Sequence, residues 1–273
     1  MPTGNAIIDR SIQAHGGEEH FRRVAELDMT WTFRGLMFKL RRREGQLHDL
    51  TARLHTGEPR VEIGDYPAPG ARATFTPARV TIERVAGPSS SLDEPRRAFD
   101  SLRTLAWWTE LEMLYFAGYV LWNYTQLPFL LLQPGITLRD AGTTRVGGET
   151  WDKVEVTFPV GFPTHSTRQV LYIGPDGLLR RHDYAVGIMR NVARGARFVD
   201  AYQTVDGLTF PSQTTIKLGI RGETYAPWLT LGVAEMHDLV LVEAPAATPA
   251  TGSAAVSFAA PPAAPEVLAV SEA

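Results

Sequence analysis

Residues 113–132, MLYFAGYVLWNYTQLPFLLL, carry no charged side chain, in a chain of 273 residues of which 21% are charged. About twenty apolar residues are enough for a helix to cross a bilayer, so the first question is what keeps this run dry. Three features argue against a span. Pro128 would remove a helical hydrogen bond and kink the segment. Asn123, Thr125 and Gln126 would need polar partners inside hydrocarbon. Arg103 before the run and Arg139 after it give no one-sided basic excess. The spacing predicts a helix from about Thr104 to Gln126, ended by Pro128, with 129–132 extended or irregular. A helix apolar nearly all round is buried in a soluble protein. Membrane contact, spanning or interfacial, is the disfavoured alternative.

The remainder of the chain can supply the cover. Apolar residues make up 44% of it, enough for a sizeable core. Net charge is −3 at pH 7, which gives no general attraction to nucleic acid or anionic lipid. Arg41-Arg42-Arg43, followed by Glu44, reads as a solvated strand end. With no cysteine, disulfides, thiolate catalysis and Cys-ligated metals are excluded.

Around the run the periodicity is that of strands. Residues 5–15 place Ile7, Ile8 and Ile12 on one helical face, with Asn5 as N-cap and Gly16 as the stop. From Leu27 the period falls to two in LDMTWTFRG, LMFKLRRREG, LHDLTARLHTG, ARATFTP and ARVTIERV. Residues 93–133 interrupt the strands as a helical insertion, with Pro95 suited to a first helical turn. Strands resume after Gly135 and run to Glu243. Gly174-Pro175-Asp176-Gly177 and Asp206-Gly207 are turn signals that make their flanks antiparallel neighbours. The predicted architecture is mainly β: one domain over 1–243, a strongly curved antiparallel sheet or incomplete barrel, with the N-terminal helix and the insertion covering an apolar cavity. Residues 244–273, rich in Ala and Pro and without Lys or Arg, read as a disordered tail.

Aromatic side chains crowd the predicted helix and its end. Trp107, Trp108, Tyr115, Tyr119, Trp122, Tyr124 and Phe129 are the expected lining of that cavity, since apolar ligand sites are rich in such rings. A helix that simply fills the core is the competing reading. In LLRRHDYAV, strand alternation separates His182 from Asp183 but puts Arg180, His182 and Tyr184 in one row. On a concave face these three are candidates for proton transfer; the preferred reading places them at the surface. HGGEEH, residues 15–20, resembles a metal motif, but Gly16-Gly17 breaks the helix between its histidines and suits a C-cap. His165 stands in a loop without a ligand partner at a recognisable spacing. No metal or cofactor is expected, and phosphate-binding and Gly-x-Ser-x-Gly motifs are missing.

The order of elements, from Ala14-His15-Gly16-Gly17 through strands, a helical insertion, the Tyr172–Tyr184 hairpin and Asp206-Gly207-Leu208 leading to Pro211, resembles the LolA/LolB-like lipoprotein-carrier group over roughly residues 5–243. That resemblance implies an incomplete antiparallel barrel wrapped around an apolar cavity closed by helices. It assigns no functional residue. Carriers of that group work outside the cytoplasmic membrane, whereas Asp9 and Arg10 interrupt the apolar stretch that an export signal needs. The expected location is therefore the cytoplasm. The expected function is binding of a hydrophobic small molecule, lipid-like or polyketide/terpenoid-like. The alternative is a cofactor-independent cyclase, isomerase or hydratase acting in the same cavity. No nucleic acid partner is expected, and the oligomeric state is left open.

Overall fold

Thirteen strands form one antiparallel sheet in the computed structural model, which describes residues 3–220 and 223–244. The first six are β1 (Val24–Arg34), β2 (Leu50–His55), β3 (Arg60–Gly64), β4 (Arg72–Phe75), β5 (Arg79–Glu83) and β6 (Ser90–Asp93). The other seven are β7 (Thr137–Val146), β8 (Glu149–Thr157), β9 (Arg168–Ile173), β10 (Leu179–Ala185), β11 (Arg194–Val205), β12 (Leu208–Gly219) and β13 (Tyr225–Glu243). Their order across the sheet is β6-β5-β4-β3-β2-β1-β13-β12-β11-β10-β9-β8-β7. Two meanders therefore meet at the central β1–β13 pair, and β6 and β7 are edges that do not pair with each other. The sheet stays open, an incomplete barrel as expected.

Among the described residues four α-helices accompany it: α1 (Ala6–Ala14), α2 (Glu18–Phe21), α3 (Leu36–Leu40) and α4 (Glu110–Gln126). Asn5 caps α1, its side chain accepting from the Ile7 and Ile8 N–H groups, each at 3.1 Å. Such a cap satisfies donors that the first helical turn leaves unpaired. Asp206 and Gly207, both with positive φ, make the tight β11–β12 hairpin turn, in the conformation that such turns require.

The buried helix begins later than Thr104. Thr109 accepts from the Glu112 N–H at 3.2 Å. Glu112 in return accepts from the Thr109 N–H at 2.7 Å. This reciprocal capping box sets the first turn at Glu110. Before it, Pro95–Asp100 and Leu102–Leu105 are 3-10 helices, and Phe129–Leu132 is a third. LMFKL does not form the expected strand. Packing of Phe38 against Phe33, ring centroids 4.6 Å apart, and against Phe116 holds it as α3. Nor is Arg41 a solvated residue: it is 6% exposed and lies over the Trp108 ring, a cation–π contact that keeps it folded inward. β3 and β6 have no counterpart among the expected strands. The expected tail beyond Ala244 lies outside the described residues.

α4 lies against the sheet nearest β3, β4 and β5. Strand alternation there is strict: Ala52, Leu54, Val61, Ile63, Ala73, Phe75, Val80 and Ile82 are buried, while polar neighbours face out, as the period of a strand dictates. Gly118 permits the close approach, because a Cβ at that position would come within 2.2 Å of the Phe75 ring. No helix among the described residues is long and apolar enough to cross a membrane.

Candidate functional site

The chain from β6 to β7 passes through α4, so one segment connects the two edges of the sheet and occupies its interior. Every residue from Glu112 to Gln126 is buried, which agrees with an all-round apolar helix kept from water by the fold. Six of the seven aromatic residues expected to line a cavity, Trp108, Tyr115, Tyr119, Trp122, Tyr124 and Phe129, are at most 5% exposed. Trp107 differs. It is 39% exposed and sits beneath the Arg103 guanidinium. Trp108 packs edge-on against Phe99, and Phe129 stacks on Phe21 with centroids 4.1 Å apart; both are favoured arrangements of aromatic pairs.

These rings pack against protein side chains. A void bordered by Phe33, Phe116, Tyr124 and Ile216 measures about 20 Å³, and a second, bordered by Trp31, Tyr124, Arg197, Thr214 and Met236, also about 20 Å³. Each has room for about one water molecule. At both places the expected cavity is filled by the helix itself. Larger concavities, about 510 and 610 Å³, are bordered by charged residues, among them Glu155, Arg168 and Arg194 in one and Arg53, Arg60 and Glu62 in the other.

One side of α4 carries a polar row that begins at Tyr115, whose ring packs against Phe75 of β4. Tyr115, Tyr119 and Asn123 follow one another at four-residue spacing, which stacks them along the helix. Arg96 donates to the Tyr115 hydroxyl at 3.4 Å, the Tyr119 hydroxyl pairs with His165 Nδ1 at 3.2 Å, and the Asn123 amide donates to Pro163 O at 2.6 Å. One turn on, the Tyr124 hydroxyl pairs with His165 Nε2 at 3.2 Å and makes a short hydrogen bond to the Tyr184 hydroxyl. A neutral imidazole donates through one nitrogen and accepts through the other, so Tyr119, His165, Tyr124 and Tyr184 form one continuous hydrogen-bonded chain. His165 also stacks flat on Tyr184, centroids 3.8 Å apart.

Of the three residues predicted in a row, the structure brings together two. His182 and Tyr184 are 1% and 5% exposed and point inward rather than to the surface preferred from the sequence. Arg180 leaves the row because the β9–β10 register shifts between Leu179 and Arg181, a local irregularity that re-aims a side chain. It donates to Asp176 at 2.6 Å instead. The cation beside His182 comes from the next strand: Arg197, 1% exposed, is its cross-strand partner and lies 3.9 Å from the Tyr124 ring centre. Gly195, opposite Tyr184, leaves the room that the ring occupies, since a Cβ there would come within 2.6 Å of it.

Hydrogen bonding assigns the His182 tautomer. The Gln169 amide nitrogen donates to Thr164 Oγ1 at 2.8 Å. It also donates to Ser166 O at 2.7 Å. An amide turned this way has only its oxygen left, and that oxygen accepts from His182 Nε2–H. His182 Nδ1 is left without a partner. Burial, helped by the Arg197 charge, holds the His182 pKa well below the usual imidazole value, and burial does the same to His165, with coupling to the neighbouring His182 imidazole and the Arg96 and Arg197 charges adding to it. Desolvation disfavours the charged imidazolium in both. Burial raises Tyr124 to about 12 and Tyr184 well above the usual phenol value. At neutral pH the cluster is thus neutral apart from the guanidinium. Neither His165 nor Arg197 was among the residues that the sequence singled out for this cluster. In HGGEEH, His15 is buried, its Nδ1–H donates to Ser11 O at 2.8 Å, and burial lowers its pKa to about 4.

No protein-family model matches the chain, and no curated protein matches it. Solved structures do. A LolA superfamily protein from Nitrosomonas europaea is 8% identical, with a TM-score of 0.49, covering 90% of this chain and 96% of that one. A protein domain from Vibrio parahaemolyticus described as outer membrane lipoprotein-sorting is 9% identical, with a TM-score of 0.42, covering 86% and 90%. Lipoprotein LppX from Mycobacterium tuberculosis is 12% identical, with a TM-score of 0.28, covering 85% and 91%. The first is described as belonging to the superfamily that the element order resembles.

The same structures correct the expected location. Two of them are described as outer membrane lipoprotein-sorting and as lipoprotein, and the cytoplasmic expectation is withdrawn. Asp9 and Arg10 belong to the folded helix α1, whose Ile8 and Ile12 are buried; their charges reflect its outer side and carry no information about export.

Proposed function

We propose that the protein binds a lipid-like apolar molecule against the concave face of its sheet, in the space that α4 fills in this structure. The observation that carries the reading is that a single insertion, joined by 3-10 turns at both ends, fills the interior of an open, curved sheet. A ligand replaces the helix's contacts with Leu54, Val61, Phe75 and Ile82 by equivalent apolar ones, so its burial offsets the cost of moving α4. Trp108, Tyr115, Tyr119, Trp122, Tyr124 and Phe129 move with the insertion and cover the ligand, and Trp107 stands at the rim. The test is mass spectrometry of an organic extract of purified protein beside an unrelated control, together with displacement of an apolar fluorescent probe. A co-purifying lipid-like compound and a displaced probe are expected. Neither one appearing overturns the reading.

A second reading, a cofactor-independent cyclase, isomerase or hydratase on the same ligand, is favoured by the Tyr119–His165–Tyr124–Tyr184 chain. Here Tyr184 and His182 supply proton transfer, with Arg180 outside the cluster as the control position. Single replacement of Arg180, His182 and Tyr184, followed by turnover of the co-purified compound, tests it; unchanged conversion in all three removes it.

A further inference from the structure

Arg197 is a buried cation without a counter-ion. Its Nε and Nη1 have no hydrogen-bond partner, and it makes no ion pair among the described residues. Arg181, on the neighbouring strand, shows the usual solution: it donates to both Asp183 oxygens at 2.6 and 2.7 Å. The nearby carboxylates are engaged elsewhere. Asp200 accepts from Thr215 at 2.6 Å, and Glu235 from Arg34 at 2.7 Å. A guanidinium keeps its charge at any ordinary pH, and contact with the Tyr124 ring offsets only part of the cost of removing it from water.

The second void of about 20 Å³ borders this guanidinium. Thr214, 3% exposed, borders it as well, and its Oγ1 also lacks a partner. Two residues with orphaned donors therefore border one small space, whose rim also includes Ser212 and Glu235, the latter paired with Arg34. We propose that Arg197 and Thr214 form a binding site for one compact carboxylate, supplied either by a small free acid or by the head of the apolar ligand. One carboxylate oxygen occupies about the space of one water molecule, and a guanidinium matches a carboxylate in charge and geometry. A phosphate dianion carries more charge than one cation balances. The lipid-head source rests on the function proposed above; the free-acid source does not.

Two arms of one experiment on the full chain separate these. In the first, the melting temperature is followed as sodium acetate replaces sodium chloride at constant ionic strength. The wild type is expected to rise by several degrees and R197M to stay flat, with R197K retaining a reduced rise. In the second, lauric acid and methyl laurate compete for an apolar fluorescent probe. The acid is expected to compete about tenfold better than its ester in the wild type, the worth of one charge-assisted hydrogen bond, and equally in R197M. An acetate response with no displacement by either chain keeps the site, makes a free acid its source and removes the apolar-ligand reading. Displacement by acid and ester alike, with no acetate response, overturns the site and leaves that reading standing. An acetate response that survives R197M shows an adventitious ion only and overturns it too. Should R197M fail to fold, T214V decides, with a several-fold weaker acetate response expected and an unchanged one counting against the site.

Discussion

On the β2–β5 side of α4 the inward side chains are Leu50, Ala52, Leu54, Val61, Ile63, Ala73, Phe75, Val80 and Ile82; on the β9–β11 side Gln169, His182, Tyr184 and Arg197 stand among the apolar Leu171, Ile173 and Leu179. One helix thus packs dry on one flank and polar on the other. The dry flank draws its stability from transfer and close packing, which tolerate no lost volume. The polar flank requires every donor to find an acceptor, and its failures are orphaned atoms rather than voids. The difference shows which perturbation each half of the molecule should register.

The largest effect belongs to the dry flank. Phe75 is a fully buried ring that packs at Gly118. Chemical denaturation of Phe75→Ala should show a loss of about 3–5 kcal/mol with no change in its pH dependence. A loss below about 1 kcal/mol, the ordinary cost of a surface change or less, would mean that α4 is not seated there. pH should read the buried histidines, two of them on the polar flank. His165 and His182 are held neutral in the fold but titrate near 6.5 when unfolded, so the unfolded chain takes up protons first as pH falls. Stability is expected to be level above about pH 7 and to fall below about 6.5, by about 1.4 kcal/mol per pH unit for each histidine. His15 adds to the fall down to about pH 4. In H182Q the slope should drop by one proton; an unchanged slope would break the assignment.

Tyr184→Phe removes one hydroxyl from the hydrogen-bonded chain and should cost about 1–2 kcal/mol. The smallest effect is on the outer surface. There the Arg53 Nε donates to one Asp28 oxygen at 2.7 Å. Its Nη2 donates to the other, also at 2.7 Å. Exposed to water and ions, the pair is screened, so R53A should cost less than about 1 kcal/mol and the loss should shrink with salt.

The dry flank is also the more readable from the sequence. Alternation in LTARLH and ARVTIE marks both strands and their inward faces, and the uncharged run marks the helix that meets them. The hairpin turns at 174–177 and 206–207 are local chemistry and fold as read. Short β3 and β6 are not, since five and four residues carry too little pattern to separate them from loop. Alternation pairs His182 with Tyr184 but is silent on which side of the sheet they point. Arg197 could not be placed at all: the β10–β11 connection, residues 186–193, is too long to set a register, and the match of Arg197 to His182 and of Gly195 to Tyr184 follows only from pairing. The bulge that ejects Arg180 leaves no mark in residue type.

The unpaired edges β6 and β7 have a mechanical consequence. In a closed barrel, any widening tears interstrand hydrogen bonds, and the ring resists as a hoop does. Here the hoop is cut, and the two cut ends are tied by the very segment that plugs the middle. Spreading them apart ruptures no rung between strands; it draws on the tether, so the girth of the sheet and the seat of its plug must change together.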